Sequence, residues 1–156
     1  MKNLLLVCVA IGFSQVVLAD NHLSATDEVI ALVEKNWEAR NNNDYKTQLD
    51  LRTDGTHLNA NSSGTFFYTD EKPSLEEISE DLAGEYDVTV MYPNAVSLSD
   101  TVVLAHYYLE GSMAADGVTV SNYRTRVTHI WVKEDGEWKS KSWHFSPLHN
   151  GGTTPN

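Results

Sequence analysis

The side chains best suited to proton transfer in this chain are those of His144, His129 and Tyr108. A histidine has an ordinary pKa of about 6.5, so it can give or take a proton near neutral pH. A tyrosine hydroxyl can donate a hydrogen bond to an oxygen that gains negative charge during a reaction. Gathered around one cavity, the three would support general acid–base catalysis. The alternative is that each is a structural residue whose polar atoms are satisfied internally.

His144 lies near the end of a predicted hairpin at residues 123–147. Two segments of alternating polarity are joined there by Glu134-Asp135-Gly136, and Asp-Gly between such segments is a strong hairpin signal. Because side chains alternate between the two faces of a strand, an inward Trp138 predicts further inward positions at Ser140, Ser142, His144 and Ser146. Small polar side chains on an inner face leave room and hydrogen-bonding groups for a ligand.

The same alternation places other candidates on two neighbouring strands. His106 shares a face with Tyr108, and His129 shares a face with Trp131. If those faces also point inward, their side chains converge with His144 from three strands. Aromatic residues elsewhere would complete the lining, namely Trp37, Tyr45 and Phe67. The pattern predicts a small aromatic pocket with two or three proton-transfer groups, and the alternative is a filled core.

Helices and strands must position these residues. Helix signals begin at Thr26 and at Asp44, both N-cap types, and the predicted helices end at Asn41-Asn42-Asn43 and near Leu51. A third helix is predicted at residues 75–82, and strands at 57–60, 65–68, 86–98, 101–113, 118–133 and 137–145. A chain that begins mainly with helices and continues with antiparallel strands joined by short turns is typical of an α+β domain. In such a domain the helices pack on one face of a curved sheet.

The strand predicted at 101–113 is apolar on both of its faces. A strand of this kind in an antiparallel sheet indicates that the outer face is also covered. Since no helix remains to cover that face, we expect a second copy of the chain there, and thus a homodimer. Trp143 and Phe145 share a parity with Lys139 and Lys141, so they are expected on this outer face.

The first 19 residues have the features of a secretory signal peptide. Lys2 provides the positive start, residues 4–18 are mostly apolar, and Val17-Leu18-Ala19 resembles a cleavage site. We therefore expect a periplasmic or secreted bacterial protein with one domain at residues 20–148 and a disordered tail at 149–156. The single cysteine, Cys8, lies in the signal segment, so the exported domain would have no disulfide.

The formal net charge of −11 makes the chain a poor candidate for binding nucleic acid or anionic lipid. Once the signal is cleaved, we expect no membrane association. The six histidines show no zinc-site spacing, so neither a metal nor another cofactor is expected. There is also no nucleophile elbow and no phosphate-binding glycine loop.

Ile130-Trp131, Asp135-Gly136, Trp138 and His144-x-Ser146 together resemble the nuclear transport factor 2-like superfamily, and within it the SnoaL-like proteins. The pattern is most similar to the association domain of calcium/calmodulin-dependent protein kinase II and its bacterial relatives. The resemblance implies a cone-shaped, cystatin-like fold in which three helices pack on a curved antiparallel sheet around a pocket. Members include ketosteroid isomerase, polyketide cyclases, dehydratases and non-catalytic binding or assembly domains.

Three functions remain open at this point. The first is an exported SnoaL-like domain that binds a small, largely apolar molecule in its internal pocket. The second is an enzyme of the isomerase, dehydratase or cyclase type, with a histidine as acid or base. The third is an oligomerisation module without catalysis.

Overall fold

A computed structural model describes residues 23–61, 64–115 and 117–148 of the chain. The predicted signal peptide at 1–19 and the predicted tail at 149–156 lie outside these ranges. Within them, no helix is both long enough and apolar enough to cross a membrane.

The described ranges contain helices α1 (Ala25–Asn41), α2 (Tyr45–Asp50) and α3 (Leu75–Asp81). The N-cap of α1 is Ser24 rather than the expected Thr26, because the Ser24 hydroxyl accepts the amide hydrogen of Asp27. Asp44 caps α2 as predicted, and α3 begins with a capping box. The buried stripe of α1 includes Val29 and Val33, which pack toward the sheet.

Six strands form one sheet in the order β2-β1-β6-β5-β4-β3. The predicted α+β class is confirmed. One detail differs, since β1 and β6 run parallel and the sheet is therefore mixed. The strands are β1 (His57–Ala60), β2 (Phe66–Thr69), β3 (Glu85–Ser99), β4 (Val102–Ala115), β5 (Val118–Glu134) and β6 (Glu137–Pro147).

The predicted Asp-Gly turn joins β5 to β6. Asp135 and Gly136 have φ values of 50° and 88°, and two positive φ values in sequence are typical of a type I′ hairpin turn. The pairing that follows is regular as far as Ser140, which lies opposite Trp131. The turn therefore fixes Trp138 and Ser140 on the buried face, as expected from the sequence.

A β-bulge at Lys141 reverses the facing of the rest of β6. Trp131 pairs with Ser140 but Ile130 pairs with Ser142, so Lys141 is an extra residue without a partner on β5. Beyond the bulge, Trp143 lies opposite the buried His129. Trp143 and Phe145 thus face inward, whereas Ser142, His144 and Ser146 face outward. The facing expected for all five residues was wrong, because unbroken alternation does not hold across a bulge.

The facing of β4 also differs from the expectation. Val103, Ala105, Tyr107 and Leu109 are buried at every second position, which puts His106 and Tyr108 on the outer face. Tyr108 is 38% exposed, whereas Tyr107 is 2% exposed. Tyr107 is therefore the inward tyrosine of this strand, opposite Val127 of β5.

The sheet is curved where β3 and β4 depart from regular pairing. β3 has a register shift between Met91 and Asn94, close to the bend predicted at Pro93-Asn94, and Tyr92 there has a φ of 51°. Across the sheet, a Cβ placed on Gly111 would lie 2.0 Å from the carbonyl oxygen of Asp87. Only glycine allows this approach, and the bend lets the inner face close around the helices.

Candidate functional site

A cavity of about 410 Å³ lies between the helices and the inner face of the sheet. This volume is in the usual range for small-molecule pockets. Its walls are rich in aromatic rings from both layers, namely Trp37, Phe67, Tyr86, Tyr107, Trp143 and Phe145. Trp37 and Phe145 meet edge to face, with ring centroids 6.0 Å apart. Such walls suit a flat apolar molecule.

The cavity opens between β2 and α3. Thr69 and Asp81 line it and are exposed, and Phe67 is 37% exposed. By contrast, Tyr107 and His129, which line its inner end, are buried. A ligand would therefore enter past the edge strand and reach the polar groups at the base.

At the base, four side chains form a hydrogen-bonded row. The Trp37 indole Nε1 lies 2.9 Å from the Tyr107 hydroxyl, which lies 3.2 Å from His129 Nδ1. The other ring nitrogen, His129 Nε2, lies 2.6 Å from Ser140 Oγ. The row joins α1 to three neighbouring positions of β4, β5 and β6.

Trp37 fixes the direction of the first hydrogen bond, since an indole N–H can only donate, so Tyr107 accepts from Trp37. The two tautomers of His129 differ in the other directions. With its hydrogen on Nε2 the ring accepts from Tyr107 and donates to Ser140, and with its hydrogen on Nδ1 it donates to Tyr107 and accepts from Ser140. Ser140 lines the cavity.

Burial keeps both titratable members of the row neutral. It lowers the pKa of His129 to about 3, with a smaller contribution from the positive charge of Arg52. It raises the pKa of Tyr107 above its ordinary value of 10.0, although the hydrogen bond from Trp37 opposes this. A ring with a pKa of about 3 is a weak base near neutral pH, so the row does not present an activated nucleophile–base pair.

Two arginines line the same cavity, and each guanidinium lies over an aromatic ring. Arg40 Cζ lies 3.9 Å from the ring centroid of Tyr86, and Arg52 Cζ lies 5.0 Å from that of Trp143. Burial, together with repulsion from Arg40, lowers the pKa of Arg52 to about 10, while Asp81 opposes both effects. Burial also lowers the pKa of Arg40. These shifts indicate a crowded, poorly solvated positive region.

Among the predicted site residues, the cavity brings together Trp37, Phe67 and His129. Trp131 is fully buried beside His129, with ring centroids 4.7 Å apart, but it is not part of the lining. The Tyr45 hydroxyl donates to the Asn43 side chain, and Tyr45 is likewise not part of the lining.

The remaining predicted site residues lie on the outer face of the sheet. Thr128 of β5 pairs with His106 of β4 on one side and with His144 of β6 on the other. Tyr108 of β4 pairs with Arg126 of β5. Ser146 also pairs with Arg126, and the Ser142 hydroxyl donates to the carbonyl of Leu58. None of the five lines the cavity. His144, Tyr108 and His129 therefore do not meet at one site.

Sequence reasoning missed Arg40, Gln48 and Arg52 as cavity residues, and it chose Tyr108 over Tyr107. For Arg40 a signal was present. It follows Val33 by seven residues, which puts a charge on the buried stripe of α1. Among the described residues, no group of three or more His, Cys, Asp or Glu side chains could hold a metal ion.

Several solved structures have a similar architecture. A nuclear transport factor 2-like (NTF2-like) protein from Cytophaga hutchinsonii aligns over 77% of this chain and 95% of its own, with a TM-score of 0.63 and 18% identity. The protein has the NTF2-like fold. The predicted fold is thereby confirmed, including the arrangement of helices on a curved sheet.

Other solved structures with this fold have names that refer to different functions. The CaMKII hub homology domain of Chlamydomonas reinhardtii aligns over 81% of this chain and 100% of its own, with a TM-score of 0.63 and 16% identity. A ketosteroid isomerase-like protein from Erwinia carotovora atroseptica aligns over 78% and 95%, with a TM-score of 0.62 and 15% identity. No family model and no curated protein matches the chain. At such identities the shared feature is the fold, and functional roles must be argued from the site.

Proposed function

We propose that this NTF2-like protein is exported and binds a small molecule with an apolar, ring-bearing body in its cavity. The observation that carries the proposal is the cavity of about 410 Å³, with aromatic walls and a mouth between β2 and α3. The apolar leader predicted at residues 1–19 supports export to the periplasm or the exterior.

Binding is better supported than acid–base catalysis. His129 is the histidine in the cavity wall, and both of its ring nitrogens are engaged by Tyr107 and Ser140. A general base needs a free nitrogen within reach of the proton that it removes. His144 is exposed on the opposite face of the sheet. The cavity therefore holds and orients a ligand through fixed donors.

Blocking the mouth should abolish binding. Thr69→Trp adds a large ring at an exposed residue of the cavity rim, so we expect at least a tenfold loss of affinity for the neutral dye N-phenyl-1-naphthylamine, on the order of a lost hydrophobic contact. Dye fluorescence during titration measures this. Tyr68→Trp is the matched control, because Tyr68 is the neighbouring residue on β2 and faces away from the cavity.

Two results would contradict the proposal. One is that the unmodified protein does not enhance the fluorescence of the dye. The other is that Thr69→Trp and Tyr68→Trp bind the dye equally well, which would place it outside the cavity.

We also propose that the outer face of the sheet pairs two copies of the chain. Val96 is 52% exposed there, and Tyr108 and the half-buried Leu104 lie on the same face. A solved neighbour with this fold is a CaMKII hub homology domain, which supports an assembly role for the fold. Trp143 and Phe145 do not contribute, since they face the cavity.

A charge on this face should produce monomers. In the double variant Val96→Glu/Tyr108→Glu, two carboxylates from each copy would have to be buried without partners, so we expect dissociation at micromolar concentration. Sedimentation velocity measures the change. Leu75→Glu on α3 is the control, as Leu75 is 50% exposed but lies on a helix. A monomeric unmodified protein would refute the dimer.

A further inference from the structure

Two polar groups in the cavity wall are buried donors without acceptors. Arg40 is 9% exposed and its Nη1 is buried without a hydrogen-bond partner. Gln48 is 4% exposed and its Nε2 is likewise buried without a hydrogen-bond partner. Both side chains line the cavity, together with Arg52 and the Ser140 hydroxyl. Buried donors are normally paired, so these indicate an acceptor that comes from outside the chain.

The charge of the cavity wall also indicates a partner from outside the chain. No carboxylate of the described residues lies within 4.0 Å of Arg40 or Arg52, since the four ion pairs found there involve other basic residues. Asp81 acts on Arg52 only as a weaker, more distant charge. One buried arginine, Arg40, and one half-buried arginine, Arg52, with a single distant carboxylate leave about one positive charge uncompensated. Buried charges are normally paired, and an anionic ligand would provide the partner.

The three donors line the same cavity. Gln48 belongs to the last turn of α2, and Arg52 follows it by four residues. Arg52 forms an isolated bridge with Ser140, and the repulsion between Arg40 and Arg52 shows that the two charges are near each other. The rings of Tyr86 and Trp143, under the two guanidinium groups, hold them in place.

We propose that the natural ligand is a ring-bearing carboxylic acid, bound as its anion, with the carboxylate held by Arg40, Arg52 and Gln48. This inference rests on the proposed binding function and names the polar end of its ligand. A planar carboxylate accepts paired hydrogen bonds from guanidinium groups, and its single charge matches the uncompensated charge of the wall. The ring lies among Trp37, Trp143 and Phe145.

Matched acid and amide pairs test the charge while the ring is kept constant. We use benzoate and benzamide, indole-3-acetate and indole-3-acetamide, and 2-naphthoate and 2-naphthamide, each as a competitor of bound N-phenyl-1-naphthylamine. We expect at least one acid to displace the dye at a concentration about tenfold or more below that of its amide, as a charge-assisted contact implies. In Arg40→Gln and Arg52→Gln this preference should fall to about threefold or less. Arg126→Gln, on the outer face, should retain it.

The outcomes separate the two proposals. If the dye binds but acids and amides compete equally, or no acid competes, the carboxylate assignment is overturned and cavity binding stands. If the acid preference persists in both arginine variants, the anion lies elsewhere and the assignment is again overturned. If the dye itself does not bind, the proposed function fails and the inference fails with it. The comparison within the unmodified protein decides the question even if a variant folds poorly.

Discussion

Insertion of one alanine between Ser142 and Trp143 should abolish dye binding and lower the free energy of unfolding by about 3–5 kcal/mol. The inserted residue takes the inward position opposite His129, so Trp143 and Phe145 turn outward and His144 turns inward. Two large aromatic side chains leave the inner face, and each contributes about 1.5–3 kcal/mol when buried. The cavity loses two of its walls at the same time.

Urea denaturation followed by tryptophan fluorescence measures the stability, and the dye titration measures the cavity. Lys141→Ala is the matched control. It keeps the extra backbone residue and removes only a side chain whose Nζ lies near Gly55, so we expect a change below about 0.5 kcal/mol. Dye binding by the insertion variant at the affinity of the unmodified protein would show that the spacing between the bulge and Trp143 does not set the facing of β6.

The second large effect concerns pH. The pKa of His129 is about 3 in the folded protein and 6.5 is its ordinary value, so below pH 6.5 the unfolded chain binds a proton that the folded protein does not. The free energy of unfolding is therefore highest above pH 6.5 and falls as the pH is lowered toward 3. Between pH 7 and pH 4.5 this one residue should remove about 2–3 kcal/mol.

His129→Gln should flatten this acid limb, because glutamine does not titrate and can still bridge Tyr107 and Ser140. The comparison requires urea midpoints at several pH values for both proteins. His57, whose burial also lowers its pKa, contributes equally to the two curves and cancels. His144→Gln removes an exposed imidazole and controls for the loss of a histidine. Parallel curves for His129→Gln and the unmodified protein would mean that His129 is accessible to protons in the folded state.

The sequence predicted the elements well because their signals are local. Caps at Asp44 and Ser74, the Asp135-Gly136 turn and the alternation along each strand all act within a few residues. Which face of the sheet each strand residue lies on was less predictable. β4 has apolar residues at both parities, so the choice between Tyr107 and Tyr108 depends on which face the helices cover, and that is a tertiary property.

The bulge at Lys141 had no signal of its own. Lys141 lies in the run Lys139-Ser140-Lys141-Ser142, where every side chain is polar and either facing is compatible with the pattern. What selects the bulge is distant in the chain. Ser140 is fixed by backbone hydrogen bonds with Leu51 and Thr53, while the Trp143 amide donates to the Asn59 side chain. These contacts hold two segments of β6 in registers that differ by one residue.

The candidate site was predicted only in part for the same reason. Aromatic lining by Trp37 and Phe67 and an inward His129 followed from pattern and resemblance. The positive charge did not, because Arg40 and Arg52 become neighbours only when α1 and the segment after α2 pack together. Spacing could place Arg40 on a buried stripe, but it could not show that no carboxylate would meet it.

The hydrogen-bonded row at the base of the cavity has an evolutionary consequence. The row links Trp37 to Ser140, more than a hundred positions later in the chain, through Tyr107 and His129. A change that removes a donor or an acceptor from one member leaves a buried polar partner unpaired unless another member changes with it. Positions 37, 107, 129 and 140 should therefore covary as a unit among homologues, so a substitution in the first helix can be inherited together with one in the last strand.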